Sequence, residues 1–221
     1  MVARLSYDGG ANDQGGGGTS TLRNKKTVLI LGAARKLFLD RGFDAITMDM
    51  VARETPVSKA TLYAHFASKE DLFTAVMVDE ANRISDEIWR IVPQDGNIED
   101  ALRHVAEKFV DIFLSGDTMF LLRAVIGVVP RFPSVGTAIF ETSALPLRER
   151  LTTFLAGAHE RGVLNVPNPM LAAGQFLSLV KGDLDIRHLL LPAKPPDRAE
   201  IEAQIKAGIE LFLSFYARRE I

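Results

Sequence analysis

The sequence predicts an all-α fold, and three observations support that prediction. From Lys25 onward, apolar residues recur every three to four positions, which is the period of one helix face. No run of alternating apolar and polar residues is long enough to indicate a strand. The composition is that of an ordinary globular protein, because 47% of the 221 residues are hydrophobic, 24% are charged and none is cysteine. Collagen-like, coiled-coil and disulfide-rich classes are therefore excluded.

Residues 1–24 precede the helical pattern and are predicted to form a flexible arm, because Gly, Ser, Thr, Asn and Asp bury too little apolar surface to offset chain entropy. Arg23, Lys25 and Lys26 close the arm, where basic side chains can reach DNA phosphates or a minor groove; the alternative is a solvated tail. The arm has no signal-peptide core. Prolines interrupt the uncharged stretch 162–180 and leave residues 170–180 as its continuous apolar part, which is too short to span a bilayer. With the absence of cysteine, this predicts a cytoplasmic protein that does not contact a membrane.

Three short helices follow the arm. The first has an apolar stripe that ends at Gly42, a residue suited to terminating a helix. Thr47 is a candidate N-cap for the second, Pro56 interrupts the chain, and the third runs from about Val57 to Phe66. The inward positions are Ile30, Ala34, Leu37, Phe38, Met48, Val51, Ala52, Val57, Leu62 and Phe66.

Longer helices account for the rest of the chain. Ser68 and Asp71 form a capping-box pattern for a helix through Trp89 to about Pro93, and Asn97 is a candidate cap for the next. Further helices are predicted at about 117–129, 134–161, 169–190 and 197–218, the second of them bent at Pro146. Residues 119–129 are apolar nearly all round, which predicts a central helix. The last helix is expected to turn Ile201, Ile205, Gly208, Phe212 and Phe215 inward.

The overall net charge of −2 hides an uneven distribution along the chain. Residues 23–69 contain nine basic and four acidic side chains, for a net charge of +5, whereas residues 70–221 have a net charge of −6. This layout suits a protein whose N-terminal end meets a polyanion.

The arrangement of the short helices agrees with the charge. Two short helices joined by the turn Glu54-Thr55-Pro56 and packed on a first helix form a helix-turn-helix, which inserts its second helix into a DNA major groove. That helix would expose Ser58, Lys59, Ala60, Thr61, Tyr63 and His65, side chains that suit base edges and phosphates. The alternatives are that Thr47 and Ser68 are plain caps, that His65 is a surface histidine and that Tyr63 packs its ring.

Residues 30–73 resemble the DNA-binding domain of the TetR family of transcriptional regulators. The resemblance rests on AARKLF, RGF, TM, VSKATLYAHF and SKEDLF, in that order and at that spacing. The sequence departs from the family at Thr55-Pro56, where a small residue and glycine are usual, and proline there stiffens the turn. The resemblance implies phosphate contacts by Thr47, Tyr63, His65 and Lys69, and base contacts by Ser58, Lys59, Ala60 and Thr61.

The remainder of the chain resembles the C-terminal domain of the AefR-like subgroup, through FLLRAVIGVVPRFP and HERGVLNVPNPMLAAGQFLSLVKG. The resemblance implies a homodimer, a ligand cavity in the body and no cofactor. Candidates for lining the cavity are Trp89, Phe109, Phe113, Met119, Phe120, Arg123, Phe140, Phe154 and Phe176, although an aromatic stripe at helical spacing is more often plain core. Arg123 needs an internal acid or a ligand anion, because apolar residues surround it in the sequence.

Two broad apolar stripes are candidates for the dimer interface, with internal packing as the alternative. They comprise Leu147, Leu151, Phe154, Leu155 and Ala158 on one helix, and Ala173, Phe176, Leu177, Val180 and Leu184 on the next.

The sequence therefore predicts an arm (1–24), a helix-turn-helix DNA-binding domain (25–72) and a helical ligand-binding and dimerisation domain (73–221). The expected function is that of a repressor that binds a palindromic operator in double-stranded DNA as a dimer and is released by a small, largely apolar molecule. The alternative is an interaction protein on the same scaffold with residual DNA binding. Catalytic motifs are absent from the sequence, so neither an enzyme nor a metal site is expected. Asp183, Asp185 and His188 are close enough in sequence to hold a metal, but Asp185 and His188 are interpreted as a solvated i,i+3 pair.

Overall fold

The computed structural model describes the backbone of residues 17–90 and 97–218, and side chains from residue 25 onward. Within that part of the chain the secondary structure is helical, apart from one isolated antiparallel bridge between Leu164 and Ala217. The α-helices are α1 (Gly17–Ala45), α2 (Met48–Glu54), α3 (Lys59–His65), α4 (Lys69–Trp89), α5 (Ile98–Phe113), α6 (Gly116–Val128), α7 (Pro133–Ile139), α8 (Leu145–Glu160), α9 (Pro169–Lys181), α10 (Leu184–Leu190) and α11 (Arg198–Tyr216). The all-α prediction is confirmed.

Helix α1 is longer than predicted, but its helical geometry still breaks at the predicted position. It begins at Gly17, inside the predicted arm, because extending an established helix costs far less than nucleating one. Residues 1–16 of that arm lie outside the described part. Near its C-terminus, Gly42 has φ 73° and ψ 171°, so the α-helical geometry breaks where the sequence indicates.

The N-terminal caps agree closely with the sequence. The side chains of Thr47, Ser68, Asn97 and Asp197 each accept a backbone N–H at the start of a helix, and Asp197 forms a full capping box with Glu200. A cap missed by the sequence analysis is Ser58, which makes α3 start at Lys59 instead of Val57.

Two of the long predicted helices are divided. The one expected at 134–161 consists of α7, a π-helical segment (Phe140–Ala144) and α8, so a widened turn accompanies the bend expected from Pro146. The one expected at 169–190 is divided at Gly182, whose φ of 55° ends α9.

The buried side chains form two hydrophobic clusters. The N-terminal cluster joins α1–α4 and also takes in Leu121, Val125 and Val128 of α6 and Val135 of α7. The C-terminal cluster joins α5, α8, α9 and α11 with the ends of α4 and α6. Helix α6 therefore belongs to both clusters and links the two parts of the molecule.

Two predicted core faces need correction. Helix α6 is not buried all round, because Phe120 and Ile126 are exposed on its outer side. On α11, Phe215 is 77% exposed and the next residue, Tyr216, is buried instead, with its hydroxyl donating to Gln175 Oε1. None of the described helices is long and apolar enough to cross a membrane.

Candidate nucleic-acid interface and ligand site

Helix α3 is held by its inner face and presents its other face to solvent. Leu62 is fully buried and Phe66 nearly so, both in the N-terminal cluster. Lys59, Ala60 and Tyr63 are exposed, as the sequence predicts for a recognition helix. A small residue between two long hydrogen-bonding ones lets such a helix approach base edges closely.

The two hydroxyls predicted to contact bases are engaged locally. Ser58 Oγ accepts the Thr61 backbone N–H at 3.1 Å and lies 2.9 Å from Thr61 Oγ1. Because a hydroxyl has one donor hydrogen and two acceptor lone pairs, these bonds leave hydrogen-bonding capacity on each side chain. In this structure Ser58 caps the N-terminus of α3, and the Thr61 hydroxyl is hydrogen-bonded to the Ser58 hydroxyl.

Lys59 is paired with an acid on the preceding helix. Its Nζ lies 2.6 Å from Asp49 Oδ1 in the first turn of α2, and both side chains are about half exposed. The hydrogen bond and charge of Asp49 raise the pKa of Lys59. The ammonium therefore stays charged and points toward α2, 5.9 Å from the centre of the Tyr63 ring.

Three further residues predicted to contact DNA differ in their exposure and in the hydrogen bonds that their side chains make. Tyr63 is 45% exposed. His65 Nδ1 lies 3.2 Å from Thr27 Oγ1, which ties the end of α3 to α1. Thr47 is exposed and its Oγ1 accepts the Met50 backbone N–H at 3.3 Å, as expected of an N-cap that could also face a phosphate.

Lys69 has a structural partner that the sequence does not reveal. Its Nζ donates to the Phe43 carbonyl at 2.9 Å and lies 4.2 Å from the centre of the Phe43 ring. These contacts tie the first turn of α4 to the chain just beyond the break at Gly42. In this structure the ammonium of Lys69 is bonded to the Phe43 carbonyl, so a phosphate would have to compete with that carbonyl for it.

An ion network joins the helix-turn-helix to the rest of the protein. The carboxylate of Glu80, on α4 and buried, accepts from Arg35 of α1 at 2.9 and 3.3 Å and from Arg83 at 2.6 Å. Burial by itself would raise the pKa of Glu80, but the two arginines outweigh it and lower that pKa. Arg35 also donates to Asp117 at 2.9 Å, in the first turn of α6.

The candidate ligand residues are dispersed. Met119 and Phe176 are fully buried in the C-terminal cluster and Phe109 nearly so, whereas Trp89, Phe113 and Phe154 pack on the cluster's border. Phe140 is 56% exposed. Phe120 and Arg123 line a surface groove beside the helix-turn-helix. The structure therefore does not bring these residues around one cavity, because most of them fill core positions.

Arg123 pairs with backbone carbonyls rather than with an internal acid. Its Nε and Nη2 donate to the carbonyls of Leu189 and His188, at 3.0 and 2.6 Å, in the last turn of α10. A guanidinium at a helix C-terminus compensates unpaired carbonyls and the negative end of the helix dipole. Nearby His188 is buried, and its burial, followed by the charge of Arg123, lowers its pKa.

The predicted dimer residues face the protomer's own interior. Leu151, Leu155, Ala158, Ala173, Phe176, Val180 and Leu184 are buried in the C-terminal cluster, and Leu147, Phe154 and Leu177 pack against it. The stripes mark core-facing sides, and the fully buried residues among them are not accessible to a partner in this conformation.

In the C-terminal part of the protein, a group of exposed apolar side chains lies on α9 and α11. Leu171 of α9 and Leu211 and Phe215 of α11 are more than half exposed. With Arg148, Met170 and Gly174 they border a groove of about 670 Å³.

The acidic residues beside α10 do not form a metal site. In the described residues no group of three or more His, Asp or Glu side chains could hold a metal ion. Asp185 pairs with Lys181, and His188 is buried rather than solvated, contrary to the sequence-based interpretation.

Comparison with known proteins agrees with this architecture. Residues 30–76 match the family model described as bacterial regulatory proteins of the tetR family, and residues 100–218 match that of the AefR-like transcriptional repressor C-terminal domain. An uncharacterised HTH-type transcriptional regulator of Mycobacterium tuberculosis is 24% identical over 80% of this chain and 82% of its own. The HTH-type transcriptional activator FasR of Mycolicibacterium smegmatis is 32% identical over 43% of each chain.

Solved structures extend the similarity to most of the chain. The flavonoid-responsive regulator FrrA is 34% identical, with a TM-score of 0.71 over 89% of this chain and 100% of that one. A TetR-family regulator from Mesorhizobium loti shares the fold, with a TM-score of 0.82 and 24% identity over 89% of this chain and 98% of that one.

Proposed function

The chain belongs to the TetR family of bacterial regulatory proteins, a family of DNA-binding transcriptional regulators, and from this premise we propose that it is a ligand-responsive repressor that binds a palindromic operator as a homodimer. The observation that carries the proposal is the exposed face of α3 on the basic N-terminal part, with Lys59, Ala60 and Tyr63 outermost. From the same premise we propose that the protein acts on DNA in the cytoplasm.

The dimer is proposed to form through α9 and α11. Exposed large apolar side chains on adjacent helices are typical of self-association surfaces, and here Leu171, Leu211 and Phe215 lie along one groove. Binding to half-sites one helical turn apart requires that a two-fold axis through this surface hold the two α3 helices about 34–36 Å apart.

Repression and ligand release are proposed from the relatives. The C-terminal family model describes a repressor, and FrrA is named as flavonoid-responsive. Activation is the second candidate, because the relative FasR is named an activator. Transcription from a bound promoter in vitro decides between them, since a repressor lowers transcript yield and an activator raises it.

Selection of bound duplexes from random DNA tests the operator. We expect recovery of an inverted repeat, with binding that weakens steeply as salt rises. Lys59→Ala should lower affinity about tenfold or more, whereas the control Lys206→Ala, at an exposed position of α11, should leave it unchanged. Recovery of no inverted repeat would refute the operator proposal and favour an interaction protein on the same scaffold.

The dimer is tested by light scattering at micromolar concentration. We expect a mass of two chains for the wild type and of one chain for Phe215→Glu, because the change removes an aromatic contact and places a charge that must be desolvated at an apolar interface. Leu190→Glu is a matched control, since Leu190 is 72% exposed and outside the groove. A monomeric wild type, or a dimeric Phe215→Glu variant, would contradict this interface.

A further inference from the structure

A second groove lies between the helix-turn-helix and the body. The chain after the break in α1, at Gly42, Phe43 and Asp44, forms one wall, and the outer side of α6 forms the other. Its volume of about 290 Å³ is near the lower end of the range for small-molecule sites.

The floor of this groove is apolar and open. Phe120 is 38% exposed on α6, next to Ala124 and Gly127. A Cβ built on Gly127 or on Gly42 would meet nothing within 4 Å, so neither glycine is there to avoid a clash with neighbouring atoms. An aromatic ring can therefore lie on α6 against the face or edge of Phe120.

The rim carries two guanidiniums and one carboxylate. Arg131 donates to Asp44 at 2.8 Å across the groove, and both side chains are more than half exposed. Arg123 uses Nε and Nη2 on the α10 carbonyls, and its Nη1 makes no hydrogen bond to any described residue. The rim is thus net positive, and its one internal anion is a solvated side chain that another carboxylate can replace.

We propose that this groove is a binding site for an aromatic monocarboxylate, whose ring packs on Phe120 and whose carboxylate takes the place of Asp44 on Arg131. A planar carboxylate matches the fork of a guanidinium in a bidentate pair. Displacement of Asp44 opens the link between the helix-turn-helix and the turn after α6. Any effect on operator affinity rests on the proposed DNA-binding function; the binding site itself does not.

Calorimetric titration of the full chain with 2-naphthoate tests the site, with the uncharged 2-naphthamide as the ligand control. We expect saturable 2-naphthoate binding at one site per chain, and binding of 2-naphthamide about tenfold weaker or more, because it lacks the charge-assisted pair. Gly127→Phe should abolish binding by filling the groove, while circular dichroism shows an unchanged helix content. Arg103→Gln, which breaks an exposed ion pair on α5, should leave affinity unchanged.

Two substitutions that break the same ion pair separate ligand contact from loss of the interdomain link. Arg131→Gln should weaken 2-naphthoate binding about tenfold, whereas Asp44→Asn should strengthen it severalfold by removing the competitor. Changes in the same direction would overturn the proposal, as would equal affinity for 2-naphthamide or full binding by Gly127→Phe. Absence of DNA binding, with these titrations as expected, would refute only the proposed function.

Discussion

Replacement of Glu80 by glutamine tests whether the ion network holds the helix-turn-helix to the body. The carboxylate accepts three hydrogen bonds from two arginines at a buried position. A charge-assisted hydrogen bond contributes about 1.5–3 kcal/mol, and breaking a fully buried pair costs about 3–5 kcal/mol. Arg83 is mostly exposed, Arg35 keeps Asp117, and the amide oxygen can still accept from an arginine, so the cost is smaller. We expect Glu80→Gln to lower the free energy of unfolding by about 2 kcal/mol.

The assay is urea unfolding at pH 7, followed by circular dichroism at fixed protein concentration. For a chain of this length, 2 kcal/mol corresponds to a decrease in Tm of about 4–8 °C. Glu87→Gln is the matched control, because Glu87 is exposed on the same helix and should change stability by less than about 0.5 kcal/mol. Equal stability of the two variants would refute the reasoning.

The same network has a predictable pH dependence. The pKa of Glu80 is lower in the folded protein than in the unfolded chain, where a glutamate has a pKa of about 4.3. Its stabilisation is therefore complete above the unfolded pKa and is lost as pH falls through the folded pKa. The stability difference between wild type and Glu80→Gln should be constant from about pH 6 to 8 and shrink below about pH 4. A difference that grows toward low pH would contradict this assignment.

Three further predictions concern single contacts. Lys69→Met should lower the unfolding free energy by about 1–2 kcal/mol by removing the hydrogen bond to the Phe43 carbonyl; unchanged stability together with a shallower salt dependence of DNA binding would instead identify a phosphate contact. Asp49→Asn should tighten binding to random duplex DNA severalfold at low salt, because it releases Lys59 and removes a negative charge beside it. Weaker binding in a filter or fluorescence assay would show that Asp49 holds Lys59 in the position that contacts DNA. Gly208→Ala should lower the free energy of unfolding by about 1–3 kcal/mol, since its Cβ would lie 2.7 Å from the Leu179 carbonyl oxygen. In the same urea experiment Gly32→Ala, in open space within α1, should raise that free energy by about 0.5–1 kcal/mol.

Local chemistry made part of this structure predictable. Caps such as Thr47 and Ser68 act on N–H groups two or three residues away, so the sequence alone reveals them. The apolar stripe on α3 likewise predicts that Leu62 and Phe66 are buried and that Lys59 and Tyr63 are exposed.

The errors arise where the deciding atoms are distant in sequence. The carbonyl of Phe43 lies 26 positions before Lys69, and the carbonyls that bind Arg123 lie about 65 positions after it. On α11 the apolar period admits Phe215 or Tyr216 as the inward residue, and a hydrogen bond to Gln175 accompanies the buried tyrosine. A stripe such as that of Leu151 and Leu155 shows that a face is buried, but the identity of the covering helix depends on the whole fold.

The participation of α6 in the N-terminal cluster limits how this protein can be recombined with its relatives. Leu121, Val125 and Val128 supply part of the hydrophobic cluster of the first four helices, and α6 packs directly against α1. A chimera that joined residues 1–76 to a foreign body would lose those side chains and leave an apolar surface uncovered. The exchangeable unit is therefore the first four helices together with the face of α6 that they cover, so a regulator with new DNA specificity should be built by grafting both.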